Sequence, residues 1–283
     1  MKALFQTSEA FPVRPARLLV PLLSLLILLP EMGFAVDYRS IVQQDAEQSV
    51  EVIGGYFTRP LKWNSGEWAA AGGVVGLSLL AMTMDRLVQE RAVQFHDTFP
   101  DSPVFQFGRW AGHGSPTIYL AGGLYGIGLL ANRGTIRTTG RLLMESFLTA
   151  GLTTYVLKTA VGRARPYTGE GAFSFRPPGW NVDHRAFPSG HSTMGWVMAG
   201  VLTAQTDSPV LDMLWYTGAT VISLSRLYHN KHWFSDVLLG GIIGYTAARY
   251  SVRRDRECGC NDNGITPGIR QSDPPLISIG WTF

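Results

Sequence analysis

Six apolar stretches run through the middle of the chain, at roughly residues 68–84, 115–131, 142–157, 191–204, 210–224 and 233–248, separated by polar or Gly- and Pro-marked connections. Stretches of this length make several helical turns, and little of the chain alternates with the period of a strand. The pattern predicts an all-α fold: one helical bundle with a six-helix core over residues 65–254, large enough to bury a substantial interior. None of the six reaches the ~18 clean apolar residues of a membrane span. They are rich in Gly, Ser and Thr, and the chain is 46% hydrophobic, inside the globular range of about 45–50%. A globular bundle is the expectation, with six membrane crossings as the alternative.

The two ends of the chain read differently. Residues 1–35 carry Lys2, Arg14 and Arg17, then the apolar run LLVPLLSLLILL, then Gly33-Phe34-Ala35, the composition of an export signal cleaved after Ala35. Residues 36–64 form a polar lead-in with a short helix. Residues 255–283 are a Pro- and Gly-marked linker and tail, in which Ile277, Ile279, Trp281 and Phe283 alternate as one face of a docking strand or packed tail. Cys258 and Cys260 are separated by one residue, too tight for a comfortable disulfide and too few for a structural zinc site, so the sequence leaves their redox state open. The net charge is +3, and about +2 once the signal is removed, which gives no reason to propose a nucleic-acid partner.

Charge matters instead where it is concentrated. In LKTAVGRARP, Lys158 and Arg165 are about two helical turns apart, so both are expected on one helix face, with Pro166 stopping the helix. A mobile ammonium and a planar guanidinium suit different oxygens of a tetrahedral oxyanion. In AFPSGHSTMGWVMAG, Pro188 and Gly190 shape a turn into a helix that Ser189 caps, and the free N–H groups there suit phosphate, with His191 on the first turn beside it. In SRLYHNKHWFSD, following Ser225 and Arg226, His232 and Asp236 stand four apart on a segment read as helical. They are expected to share a face, so that the carboxylate fixes the tautomer of the imidazole. Each cluster alone has a plain structural explanation: a dipole-compensating helix end, a capped helix with an incidental histidine, a surface pair.

Together, K-x6-RP, PSGH and S-R-x5-H-x3-D resemble the type 2 phosphatidic acid phosphatase (PAP2) family, which includes class A acid phosphatases and vanadium haloperoxidases. Every motif position matches, and the resemblance covers roughly residues 65–250. It implies a six-helix core of PAP2 type. It also implies that Lys158, Arg165 and Arg226 hold the phosphate oxygens with the amides around Ser189 and Gly190. His232 attacks phosphorus, His191 protonates the leaving oxygen and Asp236 orients His232. No cofactor is implied, and no metal-ligand spacing is present.

The expected substrate is a phosphorylated, lipid-like molecule met at a membrane surface, in the periplasmic part of a bacterial cell envelope. Small soluble phosphomonoesters, vanadium-dependent halide oxidation and a non-enzymatic envelope role are the alternatives. The connection from Pro166 to Pro188 spans the expected mouth of the site, and its Phe173, Phe175 and Trp180 face either an apolar substrate or one another. Trp196 and Trp233 are read as packing residues. His96, His113, His184 and His229 are expected to be surface or packing residues, with His184 and Arg185 of interest for their place in that connection. Arg133, Arg137 and Arg141, with Arg249, Arg253, Arg254 and Arg256, lie at the helix ends away from the site. If the first three helices crossed a membrane after a cleaved signal the site would face inward, yet these arginines favour the site outside; a bundle held wholly outside removes the conflict.

Overall fold

The computed structural model describes residues 37–258, so the export-signal reading, the strand-like tail and Cys260 lie outside the described residues. The chain divides into two compact units, residues 1–46 and 47–283; of the first, the described residues contribute the opening turns of a helix. Nine α-helices occur among the described residues: α1 (Tyr38–Thr58), α2 (Ser65–Met82), α3 (Asp85–Thr98), α4 (Pro103–Ala111), α5 (Gly114–Leu130), α6 (Gly134–Val161), α7 (Gly190–Ala204), α8 (Pro209–Tyr228) and α9 (Phe234–Cys258).

The fold is all-α, and the six apolar stretches correspond to α2, α5, α6, α7, α8 and α9. Two helices were not expected, and a third is longer than expected. α3 (DRLVQERAVQFHDT) is amphipathic and largely polar, and α4 has only nine residues, so neither stands out as an apolar run. In the lead-in, α1 is a helix of 21 residues, not a short one. α2 begins on a reciprocal cap, in which the Asn64 side chain accepts from the Glu67 N–H and Glu67 accepts from the Asn64 N–H.

α7 is the central element, packed against α6, α8 and α9. Its Val201 and Leu202 meet Leu142 and Leu143 of α6 and Ala248 and Val252 of α9 in one apolar cluster; a second joins Val197 to Ala150, Ile243 and Ala247. The α7–α9 contact is close because small residues line it. A Cβ on Gly240 would strike the Ser189 carbonyl, and one on Gly244 would strike the Thr193 carbonyl. This backbone approach fixes the start of α7 against the first turns of α9, where the motif residues lie.

Away from that end, Arg141 is 4% exposed and bonds Glu145 at 2.9 Å, with Asp255 as a second, closer partner. Arg137 is buried too. Two arginines counted as facing one side of a membrane are therefore interior residues. Among the described residues no single helix is long and apolar enough to cross a membrane; α2 and α3, bent by 57°, pass only as a pair.

Candidate active site

Three segments at one end of the bundle supply the motif residues: the two ends of the α6–α7 connection and the α8–α9 link. The first follows α6, which ends at Val161 because Gly162 adopts φ 59°. That left-handed turn suits glycine, and the Arg176 carbonyl lies where a Cβ would sit. The expected shared helix face for Lys158 and Arg165 is thus incorrect: Lys158 stands in the last turn of α6, whereas Arg165 lies beyond the helix in an extended conformation, φ −78° and ψ 152°. The glycine, rather than Pro166, stops the helix. Both cations still act on the same group, since each lowers the basicity of His232. The Lys158 ammonium donates to the Arg185 carbonyl at 2.7 Å and passes over the start of α7, its Cε 3.9 Å from where a Gly190 Cβ would lie.

The second segment is the entry to α7. Ser189 caps it, its hydroxyl accepting from the Ser192 N–H at 3.4 Å, while its own N–H donates to the Asp236 carbonyl at 2.8 Å. His191 follows on the first turn. Its Nε2 has no hydrogen-bond partner among the described residues, and its ring meets that of His113 edge-on at 4.8 Å. Gly112 makes room for this: a Cβ there would stand 2.9 Å from His191 Cδ2.

The third connection links α8 to α9. Arg226 occupies the last turn of α8 and is 1% exposed. Asn230 then turns the chain at φ 53°, so His232 arrives before α9 begins at Phe234. The expectation of a shared helix face is corrected here as well: Asp236 is in the first turn of α9 and His232 is outside it. The two still meet, because Asp236 Oδ2 folds back to accept from the Trp233 N–H at 2.8 Å and stands 3.5 Å from His232 Nδ1. That separation is longer than a good hydrogen bond.

The principal partner of Asp236 was not foreseen. Arg163, 0% exposed, donates from Nη1 to Asp236 Oδ1 at 2.6 Å and to Ser235 Oγ at 2.7 Å, and from Nη2 to Asp85 Oδ2 at 2.6 Å. Asp85, from α3, also accepts from the Ser235 N–H at 2.8 Å and the Ser235 hydroxyl at 2.7 Å. Removing one partner from such a buried pair typically costs about 3–5 kcal/mol. In GRARP, Arg163 reads as one more basic residue near a helix end, and nothing in the sequence marks Asp85 as its partner.

Burial and mutual repulsion tune the site. Lys158 falls to about 7, mainly through burial and then the neighbouring Arg165. Burial, followed by Arg226, holds His191 well below the usual imidazole range, and burial with Lys158 does the same for His232. Burial pushes Asp236 up to about 6 against the opposing pull of Arg163 and the Trp233 N–H. The arrangement concentrates cations beside two neutral imidazoles, a cluster that favours a multiply charged anion.

The connection over this end is stapled internally by Tyr167 to Asp183 at 2.6 Å, Arg176 to Glu170 at 3.0 Å and His184 to Glu170 at 3.3 Å. Phe173 and Trp180 stand about 70% exposed, as packing against one another would not allow. Trp233 is buried, its indole N–H donating to the Ala164 carbonyl at 2.8 Å. His96 packs on Tyr228 and His229 bonds the Ser225 carbonyl, both outside the cluster; His113 is drawn into it by its contact with His191.

Residues 140–258 match the family model of the PAP2 superfamily. A lipid A 1-phosphatase of Rhizobium etli is 33% identical over 107 residues, 37% of this chain and 45% of the relative. Diacylglycerol pyrophosphate phosphatase 1 of Saccharomyces cerevisiae is 36% identical over 84 residues, 25% of this chain and 29% of the relative. An undecaprenyl-diphosphatase of Sulfolobus acidocaldarius is 30% identical over 124 residues, 41% and 55% of the two chains. The chain thus spans about half, or less, of the length of these curated relatives.

Proposed function

We propose, from the match of residues 140–258 to the PAP2 superfamily model, that the chain is a metal-independent phosphatase that hydrolyses a phosphomonoester or diphosphate bond of a lipid through a phosphohistidine intermediate. The observation that carries this reading is the gathering of His232 and His191 with Lys158, Arg165 and Arg226 at the N-terminus of α7.

In this mechanism Lys158, Arg165, Arg226 and the amides around Ser189 and Gly190 bind the phosphoryl oxygens and offset the charge that develops in transfer. Asp236 faces Nδ1 of His232, which leaves Nε2 to attack phosphorus. As the N–P bond forms, the bond to the leaving oxygen breaks and that oxygen takes the proton of His191. Water then attacks the phosphohistidine, giving its proton to the now neutral His191 and releasing phosphate and His232. The low basicity of His191 has burial and Arg226 among its causes. A bound phosphate adds negative charge among these cations, favouring the protonated imidazole that the first step requires.

A lipid substrate is supported by two features. The names of the three relatives all specify phosphates carried on lipids. The chain also exposes apolar side chains on several helices, Leu80 of α2, Phe107 and Trp110 of α4 and Leu152 of α6 among them, besides Phe173 and Trp180 over the site. A lipid surface is the partner proposed for these side chains. The envelope location follows the export-signal reading. The test is phosphate release with EDTA present from phosphatidic acid, a polyprenyl diphosphate and an aryl phosphate. Turnover favouring the lipids supports the reading; preference for the aryl ester indicates an acid phosphatase. Silence on all three with vanadate-dependent halide oxidation overturns it.

A further inference from the structure

We infer that Asp85, on a helix outside the PAP2-matched segment, is a positioning residue for the transfer step: through Arg163 and Ser235 it holds Asp236 against His232 and keeps a net negative charge available to the histidine. The inference rests on the phosphatase reading above and assigns a role within that site.

The geometry is a closed buried set. Arg163 spends its guanidinium on two carboxylates, one hydroxyl and the Ala172 carbonyl, the last accepting from Nε at 2.9 Å and from Nη2 at 2.6 Å. Three rings enclose it, with the guanidinium carbon 5.7 Å from Phe175, 5.9 Å from Phe187 and 5.5 Å from Trp233. Its position therefore leaves little freedom. Asp85 and Asp236 grip the same helix start from two sides, Asp85 through the Ser235 N–H and Asp236 through the Trp233 N–H. With Oδ1 held by Arg163 and Oδ2 by Trp233, the Asp236 carboxylate can present only one edge to His232 Nδ1.

Charge completes the argument. Asp85, Arg163 and Asp236 are all 0% exposed, so their balance is screened much less than that of surface charges. Two ionised carboxylates and one guanidinium leave one negative charge, which faces the imidazole that becomes cationic as it bonds to phosphorus. Without Asp85, Arg163 would neutralise Asp236 and the developing charge on His232 would be uncompensated, in a site already crowded by Lys158, Arg165 and Arg226. Asp85 touches none of the reacting atoms, and its effect is expected on the rate of phosphoryl transfer rather than on phosphate binding.

The test compares wild type and Asp85→Asn in full-length protein, reading kcat, KM, the rate of phosphoenzyme formation and the affinity for inorganic phosphate, with a thermal melt to count folded protein. The expected result is a fall of about a hundredfold in kcat and in phosphoenzyme formation, with KM and phosphate affinity within about twofold. Carboxylates that orient a metal-bound histidine typically contribute about 10–100-fold, and the same scale is expected for a carboxylate that orients a nucleophilic one. A folded Asp85→Asn with kcat within threefold of wild type, or one in which phosphate affinity falls in step with kcat, would overturn the role. If Asp85→Asn does not fold, Ser235→Ala decides, because it removes only the bridging hydroxyl: a kcat reduced three- to tenfold at constant phosphate affinity supports the role, and an unchanged kcat refutes it. A wild type with neither turnover nor phosphoenzyme would sink the phosphatase reading and this inference with it, whereas an active wild type matched by its variants sinks the inference alone.

Discussion

Replacing Lys158 by methionine should stabilise the resting protein while disabling it. Folding takes this ammonium from 10.5 to about 7 through burial and the nearby Arg165, and at ~1.4 kcal/mol per unit the charged form costs at most ~5 kcal/mol. The group is only partly buried by surface area, so screening removes roughly half of that. The lost bond to the Arg185 carbonyl takes back about 1 kcal/mol more. Lys158→Met should therefore gain roughly 1–2 kcal/mol, a rise in Tm of about 2–8 °C for a chain of this size. The sign depends on pH. Below about 7 the lysine is protonated in both folded and unfolded chains and its penalty is complete; between about 7 and 10.5 the unfolded chain binds the extra proton, and the penalty fades. Melts at pH 6 and pH 10 test this, with inorganic phosphate added in a parallel series. At a hundred times Kd, phosphate should stabilise wild type by ~2.7 kcal/mol, and the variant little. A variant that melts below wild type at pH 6, or whose advantage is the same at both pH values, refutes the reasoning.

Other consequences follow from the same geometry. His191→Asn should lower turnover of a lipid phosphate by roughly 10²–10⁴-fold but that of an activated aryl phosphate much less, since a good leaving group needs no proton; equal losses would argue against the acid role. Gly244→Ala drives a methyl group into the Thr193 carbonyl across the α7–α9 contact and should cost about 1–3 kcal/mol in a denaturant titration, with an unchanged midpoint contradicting the packing account. Trp180→Ala combined with Phe173→Ala should reduce turnover of vesicle-borne substrate several-fold and leave the soluble ester unaffected; parallel losses would place these side chains in the chemistry instead.

What was legible in the sequence was whatever depends on spacing. The apolar runs correspond to six helices in their places, and the motif residues lie at or beside helix ends that the α6–α7 connection and the short α8–α9 link bring to one end of the bundle. The backbone conformations at those links were less visible. Lys158 and Arg165 suggested one helix until Gly162 turned the chain, and His232 and Asp236 suggested another although the helix starts between them. Long-range partners left no trace at all: Asp85 and Arg163 are 78 residues apart, and an aspartate opening an amphipathic helix looks like any N-terminal helix acid. Likewise His113 signals nothing until α5 brings it against His191.

The central claim is that phosphoryl transfer passes through His232. The direct measurement is rapid acid-free quenching of enzyme mixed with ³²P-labelled lipid phosphate, followed by peptide mapping of the label. The account predicts a transient, acid-labile and base-stable phosphohistidine at His232, formed at a rate no slower than turnover and missing in His232→Ala. Steady turnover with no labelled protein, or label on any other residue, would contradict it.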